Sequence, residues 1–229
     1  MSGSAARSVR VVAISAGLSE PSSTRLLADR LSDATAAALT RQGVRADVQV
    51  VELRELARDL ANHLLTGFPS PELRSILESV RAADAVIAVS PIFSASYSGL
   101  FKLFFDVLDP EALQGRPVLI AATGGSVRHS LALEHALRPL FSYLRAQVVP
   151  TAVFAATEDW ASDGELSARV DRAAHELAQL VAPGRSALGR VDRVAAWDDT
   201  NGTDAEQAGL VPFARVLAAQ REVAVSPSR

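Results

Sequence analysis

Short apolar runs alternate with longer stretches of helical periodicity along most of the chain. Five runs predict strands, at residues 9–14, 47–51, 85–89, 118–122 and 148–154. Apolar residues recur at the spacing of an amphipathic helix at residues 22–41, 71–82, 99–108, 131–144 and 164–181, and residues 53–65 look helical or loosely helical. This alternation predicts βαβ units and a parallel sheet that is covered by helices on both faces.

Two local signals refine the predicted sheet. Residues 47–51 alternate between apolar and polar side chains, which favours an outer strand. Pro150 lies inside the last run and favours an edge position or a bulge, because proline cannot donate to the strand ladder. Right-handed crossovers then leave two common topologies, the flavodoxin-like order 2-1-3-4-5 and the Rossmann order.

Length and composition predict one main domain with an appendage. The 229 residues suffice for an α/β domain with a full core, which we assign to residues 1–182. Residues 183–229 differ, being rich in Gly, Asp, Arg and Ala, with one apolar helix candidate at residues 211–219. We expect them to form a C-terminal extension that is partly ordered or disordered.

Charge and residue usage exclude several classes of function. A net charge of -3 gives no electrostatic reason to expect binding to nucleic acid or to an anionic membrane. The absence of cysteine excludes disulfides and thiolate nucleophiles, and the four histidines lack the spacing of metal ligands. No apolar run suits a signal peptide or a membrane span, so the expected location is cytoplasmic.

Three loops of unusual composition follow the predicted strands, where open parallel sheets bind their ligands. Residues 15–24 combine small residues and hydroxyls before a helix N-terminus, which favours phosphate. Residues 90–97 are stiffened by Pro91 and carry two aromatic residues suited to a planar ring. Residues 123–129 open on a Gly-Gly pair that permits close approach of a ligand. The alternatives are a capping loop, aromatics packed under a loop, and a tight turn.

The sequence offers no set of catalytic side chains. It contains no Gly-x-Ser-x-Gly elbow and no paired carboxylates at the predicted strand ends. We therefore expect no catalytic residue and no metal. Chemistry carried by a bound cofactor is favoured, with the protein supplying binding, orientation and electrostatics.

Several sequence blocks, in a fixed order over residues 9–182, resemble one known family. They are Ser90-Pro-Ile-Phe, Tyr97-Ser-Gly-Leu-Phe-Lys102, Ala112-Leu-Gln-Gly-Arg-Pro117, Ala122-Thr-Gly-Gly-Ser126, Ala132-Leu-Glu-His-Ala-Leu-Arg-Pro139 and Leu144-Arg-Ala-Gln147. The chain resembles the NAD(P)H-dependent FMN reductases that serve two-component flavin monooxygenases, including those of the alkanesulfonate pathway. The first loop also resembles that of an actinobacterial-looking subgroup of these reductases.

The resemblance implies a flavodoxin-like fold, a three-layer sandwich with a five-stranded parallel sheet of order 2-1-3-4-5. It implies reduction of FMN by NAD(P)H and delivery of the reduced flavin to a monooxygenase, by a cytoplasmic homodimer or homotetramer. The implied FMN-binding residues are Ser15, Gly17, Leu18, Ser22, Ser23 and Thr24 at the phosphate, Pro91, Ile92, Phe93 and Ser94 at the ring and ribityl chain, and Thr123, Gly124, Gly125 and Ser126 in the third loop.

Two positions add detail to the resemblance. Many relatives carry an arginine in the first loop, whereas this loop has none before Arg25, which implies phosphate recognition by hydroxyls and backbone N–H groups and a flavin that exchanges. His135 stands where some relatives have a tyrosine in a π-helical bulge, so it is a candidate for assisting FMN exchange. A surface or interface histidine on an ordinary helix is the alternative.

Other functions are also compatible with the sequence. One is a quinone, chromate or azo reductase that retains FMN. Another is a flavodoxin-type electron carrier, although such carriers tend to be shorter and more acidic. A non-catalytic scaffold that has lost flavin binding is a third.

Overall fold

The computed structural model describes residues 8–161 and 163–181. Its strands are β1 (Ser8–Ser15), β2 (Arg45–Glu52), β3 (Ala85–Phe93), β4 (Ser96–Tyr97), β5 (Pro117–Gly124), β6 (Gln147–Val148) and β7 (Val153–Ala156). The parallel sheet has the order β2-β1-β3-β5, and both β6 and β7 pair with β5. With β6 and β7 counted as one interrupted strand, this confirms the flavodoxin-like order predicted for five strands. The two-residue β4, which was not predicted, pairs antiparallel to β3.

The interruption of the last strand lies at Pro150. The Val149 N–H still donates to the carbonyl of Val118 at 2.9 Å, and Pro150 follows on the open side of this edge strand, where no donor is needed. The following N–H, of Thr151, donates instead to the carboxylate of Glu176 at 2.7 Å. One ladder bond to β5 is thus missing next to Pro150, and the strand lies at the edge of the sheet, in line with the edge position or bulge predicted there.

The described residues contain six α-helices: α1 (Ser23–Arg41), α2 (Ala57–Thr66), α3 (Pro71–Ala82), α4 (Gly99–Val107), α5 (Arg138–Tyr143) and α6 (Asp163–Val181). Serine hydroxyls cap three of them, since Ser22, Ser70 and Ser98 each accept a backbone N–H from three residues later. Residues 53–56 form turns rather than the predicted helix, so α2 begins at Ala57. It ends at Thr66, and Gly67 after it adopts a left-handed conformation.

Helices cover both faces of the sheet and make it the middle of three layers. Val11 and Ala13 of β1 belong to a buried cluster with residues of α1 and α6. Val12 and Ile14 belong to a second buried cluster, with residues of α2 to α5. Within that cluster, the rings of Phe101, Phe105 and Phe141 pack together, with centroids 4.8–6.2 Å apart.

The predicted C-terminal extension of residues 183–229, with its helix candidate at residues 211–219, lies outside the described residues. None of the helices within residues 8–161 and 163–181 is long and apolar enough to cross a membrane.

Candidate functional site

The three loops of unusual composition meet at one edge of the sheet. They follow β1, β3 and β5, which are neighbours in the sheet, so their carboxyl ends lie side by side. Ser15 is in register with Val89, and Pro91 is in register with Thr123. The structure therefore brings together the candidate residues of all three loops at the end of the sheet where this fold class binds ligands.

The first loop begins at a buried hydroxyl that lacks a partner. Ser15 is 1% exposed, and its Oγ makes no hydrogen bond within the described residues. Leaving a buried hydroxyl unpaired costs about 1–3 kcal/mol. Such an atom is explained when a ligand supplies the missing bond, and the N-terminus of α1 immediately after this loop favours an anion.

The rest of the first loop is tightly folded. A Cβ on Gly17 would lie 2.0 Å from Oγ of Ser22, so only glycine fits there while Ser22 caps α1. Thr24 is buried, and its Oγ1 lies 2.8 Å from Oγ1 of Thr123 in the third loop. This hydrogen bond joins two of the three loops directly. Leu18 and Ser23, in contrast, are exposed.

The second loop is a β-hairpin that sequence reasoning missed. Ser94 and Ala95 connect β3 to β4 with φ angles of 48° and 66°, the signs of a type I′ turn. Such turns favour Asn-Gly, and two non-glycine residues with positive φ store strain of order 1 kcal/mol each. The hairpin leaves Phe93 46% exposed beside the site. Proline at position 91 is buried, and Ile92 is half-buried.

The second predicted aromatic, Tyr97, does not share that exposure. Its ring is half-buried and lies 5.8 Å from the ring of Phe101 in the core. It therefore packs under the loop, which was the alternative considered for these aromatics. Of these two aromatic residues, Phe93 is the one that is exposed and can form an apolar wall for a planar ring.

The third loop is shaped by glycine. A Cβ on Gly124 would lie 2.9 Å from the ring of Phe154, so close packing against β7 requires glycine there. Gly125 faces open space, since a Cβ at this position would have nothing within 4 Å. Ser126 accepts the N–H of Arg128 at 3.3 Å and so begins a short turn at Val127–His129.

The helix after the third loop contains the π-helical segment that the resemblance implied. It spans Leu133–Leu137 and includes the exposed His135, and the N–H of Arg138 donates to the carbonyl of Leu133 five residues back. Pro139 gives a physical reason for the wide turn, because it has no N–H for the carbonyl of His135 and its ring would clash with that group in a regular α-helix. The segment packs against β4 and β5, beside the second and third loops.

Arg138 fastens this segment to the interruption in the last strand. Its guanidinium donates to the Glu134 carboxylate at 2.5 and 2.9 Å and to the carbonyls of Val149 and Pro150 at 3.2 and 3.1 Å. The hydrogen bond from Arg138 holds the pKa of Glu134 below its ordinary value. One side chain thus connects the π-helical segment to the break between β6 and β7.

Arg138→Ala is expected to lower the free energy of unfolding by about 1–2 kcal/mol at neutral pH, because it removes two carbonyl contacts and an ion pair. The lowered Glu134 pKa stabilises the fold above the ordinary glutamate pKa, and this share is lost as the pH falls through the lowered value. The difference between wild type and variant should therefore shrink in acid, as measured by urea unfolding. Lys102→Ala removes only an exposed i,i+4 pair with Asp106 and should cost about 0.3–0.5 kcal/mol. Equal losses in the two variants would contradict the bracing role.

Two ion-paired arginines flank the first loop. Arg54 lies 3.2 Å from the Glu20 carboxylate, and this hydrogen bond lowers the pKa of Glu20. Arg25 is bonded to Asp29 and also paired with Glu52, and the bond to Asp29 is the main reason why its pKa is raised. No group of three His, Cys, Asp or Glu side chains in the described part of the chain is placed to hold a metal ion.

Comparison with known proteins places the chain in a family. Residues 9–161 match the family model described as NADPH-dependent FMN reductase. The chain belongs to this family. It is 39% identical over 183 residues to an FMN reductase (NADPH) of Pseudomonas aeruginosa, covering 78% of this chain and 95% of that protein. It is also 39% identical over 150 residues to the NADH-dependent FMN reductase SfnF of Pseudomonas putida, covering 66% and 78%.

One solved structure is similar over most of the chain. An oxidoreductase from Corynebacterium diphtheriae is 50% identical, has a TM-score of 0.74, and matches 76% of this chain and 96% of its own. The candidate site of this chain carries groups of the kind that FMN requires. The unpaired hydroxyl of Ser15 and the helix N-terminus suit the phosphate, and the exposed ring of Phe93 suits a flat ring system.

Proposed function

We propose that this chain reduces FMN with NAD(P)H at the sheet edge formed by β1, β3 and β5. The observation that carries the assignment of the site is the buried, unpaired hydroxyl of Ser15 at the start of a loop that leads into a helix N-terminus. Membership of the NADPH-dependent FMN reductase family supplies the reaction. The bound flavin supplies the hydride chemistry, and the protein binds and orients both substrates.

Each loop has its own part in the proposed site. The first loop offers Ser15, Gly17, Leu18, Ser22, Ser23 and Thr24 to the phosphate of FMN. The second offers Pro91, Ile92, Phe93 and Ser94, and the third offers Thr123, Gly124, Gly125 and Ser126, to the ribityl chain and the ring. Because Gly125 faces open space, the nicotinamide has room to approach from this side.

A direct assay tests the function. Purified protein is mixed with NADH or NADPH, FMN is titrated, and the loss of nicotinamide absorbance is followed. We expect oxidation that depends on added FMN and saturates with it, as for a flavin that binds and leaves. Absence of flavin-dependent oxidation with both nucleotides would refute the proposal. Full activity with an added quinone but without added FMN would instead indicate a reductase that retains its flavin.

We further propose a cytoplasmic homodimer or homotetramer that passes reduced FMN to a flavin-dependent monooxygenase. The end of α2 supports association, because Leu64, Leu65 and Phe68 are 56%, 83% and 79% exposed. The name of the Pseudomonas aeruginosa relative specifies NADPH and that of SfnF specifies NADH, so the proposal includes both nucleotides as hydride donors. Light scattering of the eluted protein gives the oligomeric state, and a monomer would contradict this part.

His135 is retained as a candidate for assisting FMN exchange. Support comes from its exposure within the π-helical segment and from the packing of that segment against β4 and β5. A substitution there that leaves the release rate of FMN unchanged would remove it from the proposed site.

A further inference from the structure

Arg25, the first positively charged residue after the first loop, forms ion pairs with two carboxylates. Arg25 is the third residue of α1, and side chains of a helix lean toward its N-terminus, here toward the loop. Its Nε lies 2.8 Å from Oδ1 of Asp29, and its Nη1 forms a close ion pair with Oε1 of Glu52. The side chain of Glu52 is 21% exposed, so this pair is partly sheltered from solvent.

Glu52 lies beside the start of the same loop. It is the last residue of β2, and the parallel register pairs it with Ser15. The next N–H, of Leu53, donates to the carbonyl of Ser15 at 2.9 Å. Neighbouring strands lie about 4.8 Å apart, so the Glu52 backbone is one strand away from the buried, unpaired hydroxyl.

Carboxylates outnumber arginines around this loop. The arginines are Arg25 and Arg54, and the carboxylates are Glu20, Asp29, Glu52 and Glu55. A phosphate monoester carries close to two negative charges at neutral pH. The loop therefore meets the phosphate with hydroxyls and N–H groups, while the nearby positive charge is already neutralised.

We propose that Glu52 sets the affinity for FMN by keeping the guanidinium of Arg25 away from the 5′-phosphate, so that the flavin is held weakly enough to exchange. This inference rests on the proposed function. Glu52 acts through Arg25 and is a positioning residue. Replacement of Glu52 by a neutral residue leaves Arg25 paired only with Asp29. One end of the guanidinium then becomes available to the phosphate.

The test is the dissociation constant of FMN for the full chain, measured by quenching of flavin fluorescence. Glu52→Gln is expected to lower the Kd about 3- to 5-fold, within the range of a partly exposed ion pair. The gain should disappear for riboflavin, which lacks the phosphate. It should also disappear in the double variant Arg25→Met/Glu52→Gln. Glu78→Gln makes the same change of charge on α3, beside Arg10 and Asp47, and is expected to leave the Kd unchanged.

Each possible result of these titrations supports or overturns the proposed role of Glu52. An unchanged or raised Kd in Glu52→Gln, with an unaltered urea unfolding curve, overturns the inference. So does an equal gain for riboflavin, or a gain that persists without Arg25, because both point to causes other than release of the guanidinium. If Glu52→Gln unfolds, Glu52→Asp shortens the side chain and must lower the Kd for FMN but not for riboflavin. Failure of the wild-type protein to bind FMN overturns the proposed function itself.

Discussion

Replacement of Gly17 by alanine is expected to weaken FMN binding by more than about tenfold. The new Cβ would lie 2.0 Å from Oγ of Ser22 and 3.1 Å from the β-carbons of Ser22 and Thr24. Rotation of the Ser22 hydroxyl relieves only the first contact and sacrifices the cap of α1, at about 1 kcal/mol. The loop must therefore move, and with it the N–H groups proposed to bind the phosphate. Titration of FMN against the purified variant measures the loss.

Two further variants isolate the cause. Gly164→Ala adds the same carbon on α6, where nothing lies within 4 Å, and should leave FMN binding intact. Ser22→Gly removes two of the three crowding atoms at a cost of only a few tenths of a kcal/mol to the cap. Because Ser22 is itself proposed to contact the phosphate, the double variant Gly17→Ala/Ser22→Gly is compared with Ser22→Gly alone. The added alanine should cost less affinity in that background than it does in the wild type. If Gly17→Ala binds FMN as tightly as Gly164→Ala does, the first loop is not the phosphate site.

Ser15→Ala is expected to change stability and binding in opposite senses. Without ligand, removal of a buried hydroxyl that lacks a partner should raise the free energy of unfolding by about 1 kcal/mol. Loss of the same hydroxyl should raise the Kd of FMN about tenfold, since a charge-assisted hydrogen bond to the phosphate is lost. Urea unfolding of the flavin-free protein and FMN titration give the two quantities.

Ser90 supplies the matched control for stability. It is equally buried, but its Oγ accepts the N–H of Ser98 at 3.0 Å and donates to the carbonyl of Pro91 at 2.9 Å. Ser90→Ala should therefore lower the free energy of unfolding by about 1–2 kcal/mol. If Ser15→Ala is destabilised to the same extent and binds FMN unchanged, the hydroxyl of Ser15 is structural and not part of the site.

Most of the fold was predictable because it follows from periodicity. Strands buried on both faces are continuous apolar runs, and Pro150 marked the irregular edge strand because proline is confined to the edges and irregularities of sheets. The turns at residues 53–56 were mistaken for helix because Leu53 and Leu56 have helical spacing. Both are buried in the cluster that contains Val12 and Ile14, and the Leu53 N–H donates to the carbonyl of Ser15. Tertiary contacts outweighed helix propensity there.

The location of the candidate site was predictable, but its internal contacts were not. Small residues after strands indicated where a ligand fits. The Ser94–Ala95 hairpin lacks the Asn-Gly signal of its turn type and depends on pairing with β3. The Thr24–Thr123 bond spans 99 positions, and the Arg25–Glu52 pair spans 27. Such partners are set by strand order and register, which no single segment encodes.

Pro139 also fixes the position of the wide turn in its helix. A wide turn reverts to the ordinary helix when a carbonyl exchanges its partner five residues ahead for one four residues ahead. The carbonyl of His135 has no such exchange, because the residue four positions ahead has no N–H. Arg138 adds a second anchor through its bonds to Val149 and Pro150. Pro139 and Arg138 therefore both favour the wide turn at this place in the helix, where His135 lies beside the second and third loops.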